Sequence, residues 1–175
     1  MRETSQFETA AALISPGPSL PTVWHDALYD VFDTVWAVNQ AGSMFRHDYL
    51  CYTDTPARII GHPKLRHFPD KTMGGILNIQ QYPRLDGGKG TCSLTFPRVL
   101  KILLDVTGED CAVYIFGMDH GGIKSFTGED WRGSRTASER GWIERVWDCR
   151  RIVCVMGAAR GWAESLTKDG DLLRK

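Results

Sequence analysis

The chain has 175 residues, with 21 Lys+Arg against 21 Asp+Glu, and 42% of its residues are hydrophobic. That balance excludes a disordered chain, which lacks apolar residues, and a protein that grips nucleic acid by bulk positive charge, which needs a basic excess. At this length a chain buries about 70% of its unfolded surface, so we expect one domain over residues 1–175 that needs neither disulfides nor a structural metal. The five cysteines are odd in number and form no CxxC pair, so they indicate no disulfide framework or zinc ribbon. No apolar run reaches the roughly 20 residues of a membrane span, and the N-terminus lacks a basic-then-apolar layout; a cytoplasmic protein is expected, with no membrane partner.

In chain order, Ala10–Ser15 reads as a buried strand ended by Pro16-Gly17-Pro18-Ser19, and residues 21–29 read as a helix with proline in its first turn. Thr34–Val38 and Tyr49–Thr53 are β-branched and aromatic runs closing at Asn39 and Asp54. Residues 61–90 are rich in glycine and proline around Leu65–Phe68 and Ile76–Ile79, which reads as an irregular insertion over the site or a pair of edge strands. A helix is expected from about Thr91 to Val106, stopped by Gly108. Cys111–Phe116 is the most continuous apolar run, as in a central strand covered on both faces, and it leads into Gly117-Met118-Asp119-His120. A polar stretch, a helix over 137–148, a strand over 151–155 and a helix over 159–166 complete the chain.

Strands and helices in alternation point to an α/β layered fold with a largely parallel sheet. Ligands in such folds bind beyond the carboxyl ends of the strands, so the polar strand-terminating residues are the candidates for a site. Gly17, Pro18 and Ser19 between a strand and a helix suit an anion, although such a turn is often only structural and neither phosphate-loop spacing is present. Asn39 and Gln40 offer amide groups to a base or ribose, or a cap to a helix. Asp54 suits an N-cap first and a metal or hydroxyl second. Asp119 and His120 form the best acid/base pair, because histidine titrates near neutrality. Arg132 and Arg135 offer guanidinium groups for phosphate from what reads as a loop. The other histidines show no metal-ligand spacing, and no metal site is assigned. Residues 121–175 hold 11 basic and 8 acidic side chains, which leaves room for a nucleic-acid partner.

The strand before Gly17-Pro18-Ser19-Leu20, the segment Asp33–Ala41, the stretch Asp48-Tyr49 to Asp54, Thr91-Cys92-Ser93-Leu94 and Val113–Asp119 occur in that order. Over roughly residues 10–120 this resembles the Rossmann-like group joining bacterial sialyltransferases, related phage and bacterial glycosyltransferases, and archaeal 6-hydroxymethylpterin diphosphokinase-like proteins. The resemblance implies a Rossmann-like three-layer fold and a nucleotide site: phosphates at the Gly17 turn and at a helix start carrying Thr91 and Ser93, the nucleotide at Asn39, and the reaction centre near Asp119. It departs from the sialyltransferases in having no histidine beyond His120, where their general base lies, and in its short length. The expected activity is a nucleotide-sugar-dependent glycosyltransferase of phage type, with DNA among the conceivable acceptors. The alternatives are a diphosphokinase holding Mg²⁺ on Asp54 and Asp119, and a noncatalytic nucleotide-binding module.

Overall fold

The computed structural model describes residues 7–52, 72–82, 85–86, 91–92, 95–119 and 134–156. Six strands form one all-parallel sheet: β1 (Thr9–Ile14), β2 (Thr34–Val38), β3 (His47–Tyr52), β4 (Thr72–Asn78), β7 (Cys111–Phe116) and β8 (Ile152–Met156). Their order across the sheet is β4-β3-β2-β1-β7-β8. The chain thus winds outward from β1 to β4, then crosses back to lay β7 on the other side of β1. Two-residue strands β5 (Leu85–Asp86) and β6 (Thr91–Cys92) form a separate antiparallel ribbon.

Side chains alternate across the pleat, so each central strand supplies both faces of the sheet. Ala11 and Leu13 of β1, Trp36 and Val38 of β2, and Val113 and Ile115 of β7 face one core. The helices over that core are α2 (Thr95–Val106), through Phe96, Val99, Leu100 and Leu103, and α3 (Ser134–Val146), through Ile143. Ala12, Ile14, Val35, Ala37 and Phe116 face the opposite core, covered by α1 (Leu20–Val23) and the 3₁₀ segment Asp26–Val31 with its flanking residues. The result is the three-layer, Rossmann-like α/β architecture expected of the pattern, with Leu13, Ile14 and Ile115 fully buried at its centre.

Several elements differ from their sequence reading for visible reasons. The helix expected over 21–29 breaks at Trp24, whose extended backbone (φ −129°, ψ 140°) ends α1 after one turn. The break lets the indole pack edge-on to Phe116 at 4.8 Å and stack with Phe32 at 5.8 Å. In the segment read as an insertion or a pair of edge strands, the candidate Ile76–Ile79 corresponds to an edge strand of the main sheet that starts earlier and spans Thr72–Asn78. Its Met73-Gly74-Gly75 start reads as a turn, yet a Cβ on Gly74 would stand 2.8 Å from the Asp48 carbonyl oxygen, so the strand pairing itself demands glycine. The candidate strand Leu65–Phe68 and the helix expected over 159–166 lie outside the described residues.

Helix α2 ends as expected, with Gly108 in the left-handed region at φ +71°. Its last carbonyls gain a second cap from Arg151, which is 5% exposed and donates to the Leu104 carbonyl at 2.6 Å, the Thr107 hydroxyl at 2.6 Å and the Cys111 carbonyl at 3.1 Å. A cation there complements the helix dipole while satisfying orphan acceptors. The Cys51 and Cys111 thiols are buried in the cores, and burial pushes the Cys51 thiol well above the ordinary cysteine range. Among the described residues no helix is long and apolar enough to cross a membrane.

Candidate functional site

Where a doubly wound sheet reverses direction, the loops leaving the two central strands diverge and open a crevice at their carboxyl ends. Here that point lies between β1 and β7. The loops leaving them are Ser15–Ser19 and Gly117–Asp119.

These two loops continue the ladder past the strand ends. The Ser15 amide donates to the Phe116 carbonyl at 2.9 Å, and the Gly17 amide donates to the Gly117 carbonyl at 3.1 Å. Each glycine is required by the other loop. A Cβ on Gly17 would overlap the Gly117 carbonyl oxygen and the Asp119 carboxylate, and one on Gly117 would overlap the Ser15 carbonyl oxygen and stand 2.8 Å from Leu20 Cβ. Gly117 is also held at φ +69°, which L-residues avoid. The close approach that glycine permits at position 17 is therefore to the chain itself.

Asp119 completes the junction. Its side chain is fully buried, and its Oδ2 accepts the Ser19 amide at 2.7 Å. Ser19 is the N-cap of α1, but its hydroxyl makes no capping bond. The Ser19 hydroxyl instead accepts and donates nothing among the described residues, although it is shut off from solvent. The Asp119 carboxylate thus occupies the place a phosphate oxygen would take on the Ser19 amide, and α1, at four residues, adds little dipole to attract a second anion.

One strand over, Asn39 follows β2 directly and adopts φ +46°, the left-handed conformation that asparagine tolerates better than other side chains. Its Oδ1 is enclosed and has no partner among the described residues. Native interiors seldom leave such atoms unpaired, because an unmet buried acceptor costs about 1–3 kcal/mol. Gln40 lies beside it in the 3₁₀ segment Asn39–Ser43, its carbonyl accepting the Ser43 hydroxyl at 2.7 Å. Gly17, Ser19, Asn39 and Asp119 therefore gather at the carboxyl edge of three adjacent strands, as their strand-end positions predict.

The remaining candidates are placed differently. Thr91 lies in β6, paired across the ribbon with Asp86, so it does not start a helix; α2 begins at Thr95. Arg135 stands in the first turn of α3 rather than in a loop. Asp54, Ser93, His120 and Arg132 lie outside the described residues. Asp48, part of the stretch that carried the resemblance, sits at the start of β3, at the opposite edge. There its carboxylate accepts the Tyr29 hydroxyl and the Val35 amide, the latter at 2.7 Å, which is a structural tie between β2, β3 and the 3₁₀ segment Asp26–Val31. Arg46 lies over the Tyr29 ring at 4.1 Å, and partial burial followed by the bond to Asp48 pushes the phenol up to about 12.

Gly117 and Arg98 are the two residues whose importance the sequence understated. Arg98 interrupts the apolar face of α2 between Phe96 and Val99, and a cation in a buried stripe is the signal that marks it. Among the described residues no three His, Cys, Asp or Glu side chains cluster closely enough to hold a metal ion. Comparisons with protein-family models, with curated proteins and with solved structures return no match.

Proposed function

We propose that the protein is a nucleotide-dependent transferase, specifically a glycosyltransferase that moves a sugar from a nucleotide-sugar donor to an acceptor hydroxyl. The observation that supports this reading most is the pair of enclosed, unpartnered polar atoms, Ser19 Oγ and Asn39 Oδ1, at the crevice where a doubly wound sheet binds ligands. Oδ1 of Asn39 accepts, which suits a ribose hydroxyl or a base amino group, and Oγ of Ser19 can donate to a phosphate oxygen; since both atoms are enclosed in the unliganded chain, ligand entry in this reading includes a local opening that uncovers them.

In this reading the acceptor oxygen attacks the anomeric carbon as its proton passes to a base, and the bond from that carbon to the nucleotide phosphate breaks with its electron pair. The leaving phosphate gains negative charge as the bond breaks, so a donor fixed beside it stabilises the transition state more than the ground state. Asp119 is a positioning residue here: buried and bonded to the Ser19 amide, it fixes the turn that carries the hydroxyl. His120, the next residue in the chain, supplies the base.

A thermal-shift panel of UDP-, GDP-, CMP- and ADP-sugars and ATP, with and without Mg²⁺, tests the proposal, because a ligand that binds the native state raises its melting temperature. Stabilisation by one sugar nucleotide, with its turnover lowered about 10²–10⁴-fold in His120→Asn and its binding kept, is the expected result. Stabilisation by ATP only with Mg²⁺ would replace it with the diphosphokinase, and binding without turnover would leave a nucleotide-binding module. No stabilisation by any member would overturn the proposal.

A further inference from the structure

Asn39 combines two unfavourable features. Among the described residues it is the one non-glycine with a positive φ, and its enclosed Oδ1 has no partner there. Left-handed non-glycine residues persist only where their surroundings enforce them, and such residues gather at ligand clamps and switch regions. Enclosed acceptors without partners are equally uncommon.

The surroundings show what enforces both. Val38, immediately before Asn39, is buried in the core that α2 covers. Ala41, two residues after it, is fully buried in the opposite core. Gly42 is wedged, because an added Cβ would stand 2.7 Å from Leu50 Cδ1 and 3.0 Å from His47 Cε1. The Ser43 hydroxyl closes the segment by its bond to the Gln40 carbonyl. The chain is thus anchored in one core before Asn39 and in the other after it.

Between those anchors the backbone turns through the 3₁₀ segment Asn39–Ser43, which starts without a side-chain cap and ends on a long bond, 3.4 Å from the Met44 amide to the Ala41 carbonyl. Such turns have poorer hydrogen-bond geometry than an α-helix and serve as connectors. Asn39 itself is half-buried. Its side chain can therefore turn outward while Val38 and Ala41 stay in their cores, and turning outward gives Oδ1 the hydrogen bond it lacks.

We propose that Asn39 is a two-state switch that opens the strand-end crevice. In the closed state its backbone is left-handed and Oδ1 is shut in; in the open state the side-chain amide faces outward, where a ribose hydroxyl or an amino group captures it. The capture rests on the reading of the crevice as a nucleotide site, whereas the exchange between states belongs to the chain alone.

Nitrogen-15 relaxation dispersion of the protein without nucleotide tests the switch first, because it detects a minor state exchanging in microseconds to milliseconds. Exchange is expected at the backbone amides of Asn39 and Gln40 and at the Asn39 side-chain amide, with flat profiles at Ala41 and Gly42. Asn39→Gly removes the unpaired acceptor and the left-handed penalty together, so it should raise the melting temperature and abolish the exchange. The same variant lacks the capturing oxygen and should bind the sugar nucleotide selected by the thermal-shift panel about tenfold more weakly or worse. A residue that only shaped the turn would not give a more stable chain that binds less well. Flat dispersion at Asn39 and Gln40, or an Asn39→Gly variant less stable than the parent, would overturn the switch, and undiminished nucleotide affinity in that variant would overturn the capture. If no nucleotide binds, the reading of the crevice fails, while the exchange and the stability of Asn39→Gly, both measured without nucleotide, still decide the switch.

Discussion

The carboxylate of Asp119 accepts the backbone amide of Ser19 at 2.7 Å, joining the loop after β7 to the loop after β1. Because the carboxylate is buried, its removal leaves an amide without a partner. Asp119→Ala should therefore destabilise the fold by about 1–3 kcal/mol, and Asp119→Asn, which keeps an acceptor oxygen, by less. Urea unfolding of the two variants checks the order; equal loss in both would mean that the negative charge, and not the acceptor, holds the junction.

Three glycines separate steric overlap from backbone strain. Gly108 has φ +71° with nothing within 4 Å of an added Cβ, so Gly108→Ala should cost only the left-handed penalty of about 1–2 kcal/mol. Gly17→Ala meets backbone and should cost about 1–3 kcal/mol by overpacking alone. Gly117→Ala suffers both and should be the worst of the three, at about 3 kcal/mol or more. Chemical denaturation reads the ranking directly, and a Gly17→Ala variant as stable as the parent would mean the two loops do not interlock.

The legible parts of the fold are those where a continuous apolar run meets a polar stop. Cys111–Phe116 is such a run, and it forms β7 over the same residues; Thr34–Val38 likewise forms β2, with Asn39 just beyond it. Of the edge strand β4 only its second half was legible, as the candidate Ile76–Ile79, because glycine at 74 and 75 carries no β propensity; the neighbouring Asp48 carbonyl explains the glycine at 74. At the site, strand ends predicted that Asn39 and Asp119 would share an edge of the sheet with the Gly17 turn, but not that Asp119 would reach back to Ser19. That bond depends on the crossover from β4 to β7, a topological choice that no local pattern encodes. Arg98 was hidden for a related reason, since its partners Ile79 and Tyr82 come from the segment following β4.

His47 makes stability depend on pH. Its imidazole is fully buried, Nδ1–H donates to the Phe45 carbonyl at 2.8 Å, and desolvation holds its pKa below the usual 6.5 despite opposing effects of that bond and of Asp48. The unfolded chain then binds a proton more readily than the folded one. The contribution is complete above pH of about 6.5 and falls as pH drops toward the folded pKa, by at most about 1.4 kcal/mol per unit. His47→Gln should flatten this portion of the stability–pH curve; an unchanged slope would assign the proton uptake to another group.

Tyr29 produces the opposite window. With its phenol raised to about 12, first by burial and then by the hydrogen bond to Asp48, its contribution is intact below about pH 10 and is lost as pH rises to about 12. Absorbance titration should show a late tyrosine ionisation that Tyr29→Phe removes. Asp48→Asn should move it downward without returning it to the ordinary value, because burial remains. A shift fully back to 10 would show that the carboxylate alone sustains it.

The central claim is that a nucleotide binds at the carboxyl ends of β1, β2 and β7. Amide-resolved NMR, recorded while the best nucleotide from the thermal-shift panel is titrated in, tests it most directly. The account predicts that the amides of Gly17, Ser19, Asn39 and Asp119 shift together with one binding constant, and that the Asn39 side-chain amide moves with them while the amide of Trp142 stays in place. Binding that shifts Trp142 and its neighbours on α2 and leaves Ser19 and Asn39 unmoved would contradict it.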